Sequence, residues 1–439
     1  MKHRMWLAGA LLALLSATPA MADNRFIVRS SLNAGVLQQF CVFQGCTVVG
    51  TLDGTQNQVF LVTAPSTIDP TAFLVLLGNL PGVLDAELDQ LISLVGGLNV
   101  VTTPPSGLTD NTLVNYNGTA VWNGYANQPA ASIVIVQDAQ NTFPVVGQGV
   151  VADIDTGVDP NHPALIKILL QGYDFTRNQA GGSEMTDFAA PAPPPCPNCQ
   201  PAIVNQSSVA VLDQSSVAVL DGNPQYAAFG HGTMVMGIIH LVAPRARLLP
   251  LKAFHSDGTG FLSDVLRAIY YAVRNNANVI NMSFDFTTAS TELTKALDFA
   301  NQQNVICVAS AGNDGQGPPT LVYPAALQND VMGVASTSDL DTRSTFSNYG
   351  NAIVWVAAPG EAIITTYPFG TYSAGWGTSF SAPFVAGGTA LMRNLKGNIN
   401  EPMAASAFAY AQFVGPDMGN GRLDLLMALA ALQTQNGSH

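Results

Sequence analysis

Hydrophobic spacing changes character several times along this chain. Lys2, His3 and Arg4 precede an apolar run over residues 5–15, and Ala20-Met21-Ala22 follows with small residues at both ends. A basic start, an apolar middle and a small-x-small end form the pattern of an export signal cut after Ala22. As a membrane anchor the same run is too short for a bilayer core of roughly 30 Å. Residues 25–29 and 58–62 then read as strands, and residues 31–40 and 69–77 as helices. Pro81-Gly82 opens a turn before another strand that ends near Asp89. Together these make a small α+β unit, placed at residues 23–97.

A looser stretch follows, with Thr102-Thr103-Pro104-Pro105-Ser106-Gly107 inside it. From about Gly147 onward, strands of buried type alternate with helical patterns, which predicts a parallel sheet covered by helices. The alternation breaks over residues 177–226. Here lie Gly181-Gly182, a proline-rich tract at 191–201, and an octapeptide at 206–213 repeated at 214–221. Two copies are too few for a solenoid, so the segment reads as a surface insertion, with a β-hairpin as one form for the repeat. Its Val-Ala-Val-Leu cores are an aggregation hazard if exposed.

Composition narrows the function classes. The 439 residues are 48% hydrophobic and only 10% charged, with a net charge of −13. Such a chain has ample core for two or three folded units and is not a disordered one. Sixteen basic against 29 acidic residues argue against nucleic-acid binding, which needs basic patches. After the first segment no apolar run reaches membrane-spanning length, so the cut chain is expected to be soluble and secreted or periplasmic. Export permits disulfides. Cys41 and Cys46 lie close together, as do Cys196 and Cys199. The second pair resembles half a zinc ribbon but lacks a partner pair, so a local disulfide across a proline-rich loop is preferred. Cys307 sits in an apolar run and reads as a buried small hydrophobe.

Candidate chemistry sits at four places. An apolar strand from Gly149 ends in Asp155-Thr156-Gly157, where α/β sheets put their active sites. Gly230-His231-Gly232-Thr233 opens an apolar helical run. A second strand ends in Ala311-Gly312-Asn313-Asp314. Gly377-Thr378-Ser379 leads into a helix running from Ser379 to about Arg393. If the four converge, Ser379 is a nucleophile at a helix start, where the dipole favours an oxyanion. His231 takes its proton and returns it to the leaving amine, and Asp155 holds the imidazole tautomer. Asn313 donates its amide to the oxyanion beside the Ser379 N–H. Asp-Thr-Gly also marks aspartic proteases, but that chemistry needs two carboxylates, and the motif occurs once. A binding protein without catalysis would have no use for all four side chains.

The chain order Asp155, His231, Ser379 resembles that of the subtilisin-like serine proteases, the subtilases. Val151-Ala152-Asp153-Ile154-Asp155-Thr156-Gly157, His231-Gly232-Thr233, Asn281-Met282-Ser283, Ala311-Gly312-Asn313, Phe346-Ser347-Asn348-Tyr349-Gly350, Ala358-Pro359-Gly360 and Gly377-Thr378-Ser379 are similar to that family's motifs. The resemblance extends from about residue 147 to 430. It implies a three-layer α/β/α domain with a mainly parallel sheet over 147–439, carrying the 177–226 insertion. Residues 98–146 would be linker and the first part of the mature chain, and the α+β unit at 23–97 a propeptide acting as inhibitor and folding aid. The implied activity is that of an exported serine endopeptidase, made as a self-processed zymogen, monomeric, needing no cofactor and acting on proteins or peptides. Substrate is expected as an extended strand beside Ser283, Phe284 and Asp285 on one side and Ala309, Ser310, Ala311 and Gly312 on the other.

Some positions depart from the family. Asp153 stands where an apolar residue is usual, on the same strand face as Asp155. Its carboxyl either raises the pKa of one of the pair or is hydrogen-bonded. Met234 replaces a second histidine. Phe284-Asp285-Phe286 replaces a Leu-Gly-Gly stretch beside the substrate. Asp285 and Asp314 suit a basic P1 residue if they face the pocket; if they face solvent, the pocket takes large apolar groups. Many subtilases hold calcium in a loop inserted after the histidine motif. Residues 231–244 run on without one, so that site is expected to be absent, with weaker calcium sites conceivable around Asp159 or Asp174.

Overall fold

The computed structural model describes residues 23–94, 104–188, 202–203, 224–315 and 320–434. The export signal, Cys196, Cys199 and the octapeptide repeat lie outside the described residues. The first unit comprises β1 (Asn24–Ser30), α1 (Ala34–Gln44), β2 (Thr47–Thr51), β3 (Val59–Ala64), α2 (Pro70–Gly78) and β4 (Val83–Leu88). Its strands form an antiparallel sheet in the order β2-β3-β1-β4. Both helices start one to three residues later than expected because a capping side chain sets the boundary: Asn33 accepts from Gly35 N–H and Asp69 from Ala72 N–H. Cys41 and Cys46 are joined by a disulfide. Period-two alternation gives the sheet two apolar faces. Phe26, Val28, Phe60 and Val62 pack on the unit's own helices, whereas Ile27, Val59 and Leu61 face away, into the core of the larger domain.

The chain then enters β5 (Leu91–Ser93). Beyond it come a hairpin of β6 (Leu113–Tyr116) and β7 (Thr119–Trp122) and three short helices, α3 (Asn123–Ala126), α4 (Pro129–Ile133) and α5 (Val136–Thr142). Leu108, Val121, Tyr125 and Val134 of this stretch are fully buried in the main core, so residues 104–146 are part of the large domain rather than linker.

The large domain is built on β8 (Val150–Asp155), β9 (Tyr173–Asp174), β10 (Gln179–Ala180), β11 (Ala202–Ile203), α6 (His231–Val242), β12 (Arg247–Lys252), β13 (Thr259–Phe261), α7 (Leu262–Arg274), β14 (Val279–Met282) and α8 (Thr291–Gln302). It continues with β15 (Ile306–Ser310), β16 (Val331–Thr337), β17 (Val356–Pro359), β18 (Ile363–Tyr367), β19 (Thr371–Gly375), α9 (Ala382–Leu395), α10 (Glu401–Phe408) and α11 (Leu425–Thr434). Eight strands form one sheet in the order β10-β9-β12-β8-β14-β15-β16-β17. Every pairing in it is parallel except the edge pair β10–β9. Val151, Val279, Val308 and Val334 point to a core shared with α6, α9 and α11. Ala152, Ile154, Ile280 and Cys307 point the opposite way, onto α7 and α8. The architecture is therefore three-layered α/β/α, as expected. Cys307 is a buried free thiol.

Candidate active site

The strands β14 and β15 pair as far as Met282 and Ala309 and then part. The carboxyl ends of these strands are where open α/β sheets bind ligands. Asp155 is the last residue of β8, on the α6 face of the sheet. Helix α6 is wholly buried, which fixes it against the sheet. Its first turn meets the strand end closely: a Cβ on Gly232 would lie 2.0 Å from the Gly157 carbonyl. His231 Nδ1 consequently sits 2.8 Å from both carboxylate oxygens of Asp155. The histidine is 1% exposed and the aspartate fully buried. Two acceptor oxygens there assign the Nδ1 proton and leave Nε2 as the nitrogen that can accept one.

Ser379 lies in a tight turn, Thr378–Phe380, and α9 begins three residues after it, a little later than expected. Its Oγ donates to the Ser283 carbonyl at 3.1 Å, so proton transfer to His231 requires the hydroxyl to rotate. Catalytic contacts of this kind often tighten only when substrate is bound. Asn313 Oδ1 accepts from Thr378 N–H at 2.8 Å and from the Thr378 hydroxyl at 3.1 Å. A backbone N–H can only donate, so this contact fixes the amide's orientation and turns both Asn313 side-chain N–H donors away from Thr378. Thr378 was not singled out in the sequence, yet it determines which way the amide points.

Behind Ser379 runs a buried polar chain. Asn281 Nδ2 donates to Asp153 Oδ1 and to Ser283 Oγ, each at 2.9 Å, and Ser283 Oγ donates to the Ser379 carbonyl at 2.9 Å. Both conceivable states of Asp153 hold together. It is hydrogen-bonded, and burial first, then the charge of Asp155, push its carboxyl well above the ordinary range. Its other oxygen is buried without a partner among the described residues.

The residues expected to flank substrate divide. Phe284 turns into the core against Phe254, with ring centroids 5.1 Å apart, so only its backbone is available. Ala309 and Ala311 are fully buried, and Ser310 bonds the Phe284 carbonyl at 3.3 Å. Gly312, at φ +90°, closes the wall: a Cβ there would stand 2.4 Å from Asn348 Nδ2 and 3.0 Å from Asp285 Oδ2. Asp285 is half-buried and Asp314 exposed. Burial, then the charge of Asp314, push the Asp285 carboxyl up to about 7.

Neither conceivable calcium position fits the ion. Asp174 is engaged by Thr176 and by the Arg177 guanidinium, and the Asp159 oxygens accept the Asn161 and Phe369 amides. Calcium wants six to eight oxygen ligands, and these carboxylates already satisfy protein donors. Helix α6 runs without interruption from His231 to Val242.

A model of the subtilase family matches residues 147–410. Thermitase of Thermoactinomyces vulgaris is 33% identical over 246 residues, 55% of this chain and 74% of thermitase. Subtilisin DY of Bacillus licheniformis is 37% identical over 174 residues, 37% of this chain and 63% of that protein. An intracellular serine protease of Paenibacillus polymyxa is 31% identical over 302 residues, 64% and 80% of the two chains.

Proposed function

The chain belongs to the subtilase family of serine endopeptidases, whose chemistry needs no cofactor, and on that premise we propose that it is an exported zymogen with Ser379, His231 and Asp155 as its catalytic triad. The bond of His231 to both Asp155 oxygens carries this reading. Ser379 attacks the scissile carbonyl as His231 Nε2 takes its proton, and the amine leaves with that proton. Water, activated by the same nitrogen, then releases the acyl group. The test is casein hydrolysis by the purified protein with and without a serine-directed phosphonate. Hydrolysis abolished by the phosphonate supports the reading, whereas tight peptide binding without turnover would identify a binding module.

Asn313 fits the oxyanion site, with the Ser379 N–H as second donor. Asn313→Ala is expected to lower kcat about 10²- to 10³-fold with KM nearly unchanged, because the lost donor acts on charge that develops only in the transition state. Steady-state kinetics check it; a rise confined to KM would move Asn313 from the oxyanion to ground-state binding.

The α+β unit at 23–97 is proposed to be the propeptide and inhibitor. Its carboxylates reach the starts of two helices of the large domain. Asp89 accepts from the Ser263 N–H at 2.8 Å at the start of α7, and Glu87 accepts from the Thr291 N–H at 3.0 Å at the start of α8. Anionic caps at helix N-termini are favourable. Arg29 adds a bidentate pair with the buried Glu292. Beyond these contacts β5 pairs antiparallel with β13, ahead of residues 96–110, the region proposed for self-cleavage.

Asp285 beside Gly312 supports a preference for Lys or Arg at P1. Because its carboxyl is pushed up to about 7, it ionises as pH rises through that value. Selectivity for Arg over Phe is therefore expected to grow from about pH 6 to 8 and to lose this dependence in Asp285→Asn. A P1 library in which Phe or Leu leads at both pH values, unchanged by the substitution, would sink the idea.

A further inference from the structure

We propose that Glu184 is a positioning residue for the catalytic pair, its buried carboxylate tying the end of the Asp155 strand to the start of the His231 helix. This rests on the triad proposed above, with which Glu184 shares no substrate contact. Glu184 follows β10, and its backbone is held by the Val158 carbonyl at 3.1 Å. The residue is fully buried. One oxygen accepts the Gly230 N–H at 2.7 Å and the Thr156 hydroxyl at 3.0 Å; the other accepts the Thr233 hydroxyl. Thr156 adjoins Asp155, and Gly230 and Thr233 flank His231.

The donor roles are fixed by what else the two hydroxyls do. Thr156 Oγ1 accepts the Gly232 N–H at 3.0 Å, and Thr233 Oγ1 accepts the Asp159 N–H at 2.7 Å. Each hydroxyl therefore directs its single proton at Glu184. With an amide as the third donor, the side chain is used only as an acceptor, and a carboxylate meets that demand where a carboxamide cannot. A clasp of three charge-assisted bonds resists rotation of the α6 start against β8. The distance between Asp155 and His231 depends on that angle, and a displacement near 1 Å in such a constellation costs about a hundredfold in rate.

The charges around the clasp are Asp153 and Asp155 from β8, His231 from α6, Lys252 from β12, and Asp187 and Asp159 from the adjoining loops. Lys252 is fully buried and bonds Asp187, the Thr156 carbonyl and the Phe254 carbonyl. It acts on Glu184 through its field. Burial pushes the Glu184 carboxyl up to about 8, against the pull of its donors and of Lys252. Below that pH the protonated group keeps its place but gives up one accepted bond. The native fold thus holds this proton more tightly than the unfolded chain, where the ordinary value is 4.5. Between these values Glu184 makes stability fall as pH rises, while the same rise completes the clasp. Activity and stability are expected to move in opposite directions through this window.

The experiment compares the wild type with Glu184→Gln, Glu184→Asp, Thr156→Val and Thr156→Ser, each purified as the full chain and matured with a trace of wild-type enzyme. Glu184→Gln should lower kcat about ten- to a hundredfold with KM little changed, and its rate profile should lose an ionisation near pH 8. Glu184→Asp should recover part of the rate. If Glu184→Gln does not fold, the threonine pair decides: Thr156→Val should lose kcat and Thr156→Ser keep most of it. The His231 Nδ1 proton resonance should shift in Glu184→Gln whether or not the enzyme turns over, which separates this proposal from the protease reading. An unmoved resonance, or wild-type kcat and pH profile in Glu184→Gln or Thr156→Val, overturns the positioning role. A wild type that neither cleaves casein nor reacts with the phosphonate overturns the protease reading instead.

Discussion

Ser379→Ala is expected to reduce peptide-bond hydrolysis on the order of 10⁶-fold and to leave the N-terminal α+β unit covalently attached to the large domain. Both effects follow from the same oxygen. Without Oγ no acyl-enzyme forms, and what remains is the weak catalysis of an oxyanion site acting on water. The fold itself should persist, because among the described residues Ser379 Oγ makes one hydrogen bond, to the Ser283 carbonyl, and the variant removes its donor while the Ser283 hydroxyl still bonds the Ser379 carbonyl. The contacts of Asp89 with α7 and Glu87 with α8 are untouched, so the N-terminal unit should stay docked as well as attached. Intact-mass measurement of protein made in a protease-deficient host checks the outcome. A normally cut product in that host would show that another protease matures the chain.

Asp155→Asn should cost roughly 10⁴-fold in kcat with little change in KM. The carboxylate now accepts from His231 Nδ1 through both oxygens. A carboxamide presents an N–H to the same nitrogen, which selects the tautomer whose proton is on Nε2 and so blocks the base. It also removes the charge that stabilises the imidazolium. The loss should be smaller than that of Ser379→Ala because the nucleophile remains. Kinetics on a peptide substrate decide the matter, and a variant within tenfold of wild type would mean that Asp155 only packs against the histidine.

Much of the proposed site was legible in local sequence because each of its proposed catalytic side chains lies at the end of a regular element. A strand that stops at Asp155-Thr156-Gly157, a glycine before a buried helix at His231, and a glycine-rich turn into a helix at Ser379 all leave marks within a few residues. Alternation within strands placed Asp153 and Asp155 on one face, and the parallel sheet was readable from spans of apolar residues. The same local rules were silent wherever a partner came from far along the chain. Glu184 sits in a Gly-Gly-Ser-Glu stretch read as the beginning of an insertion, and its partners Gly230 and Thr233 lie 46 and 49 residues away. Phe284 read as a pocket residue, but the direction of a side chain after a strand end depends on what packs beside it, here Phe254. Arg177 at Asp174 likewise replaces an imagined cation with a covalently tethered one. By itself the sequence determined the elements, their order and the chemistry at their ends, since backbone propensity and hydrophobic period are properties of neighbouring residues. Tertiary structure alone decided the hydrogen-bond partners, the burial that raises Asp153, Glu184 and Asp285, and the docking of the N-terminal unit on α7 and α8, because those energies depend on distances between groups that the chain connects only through the whole fold.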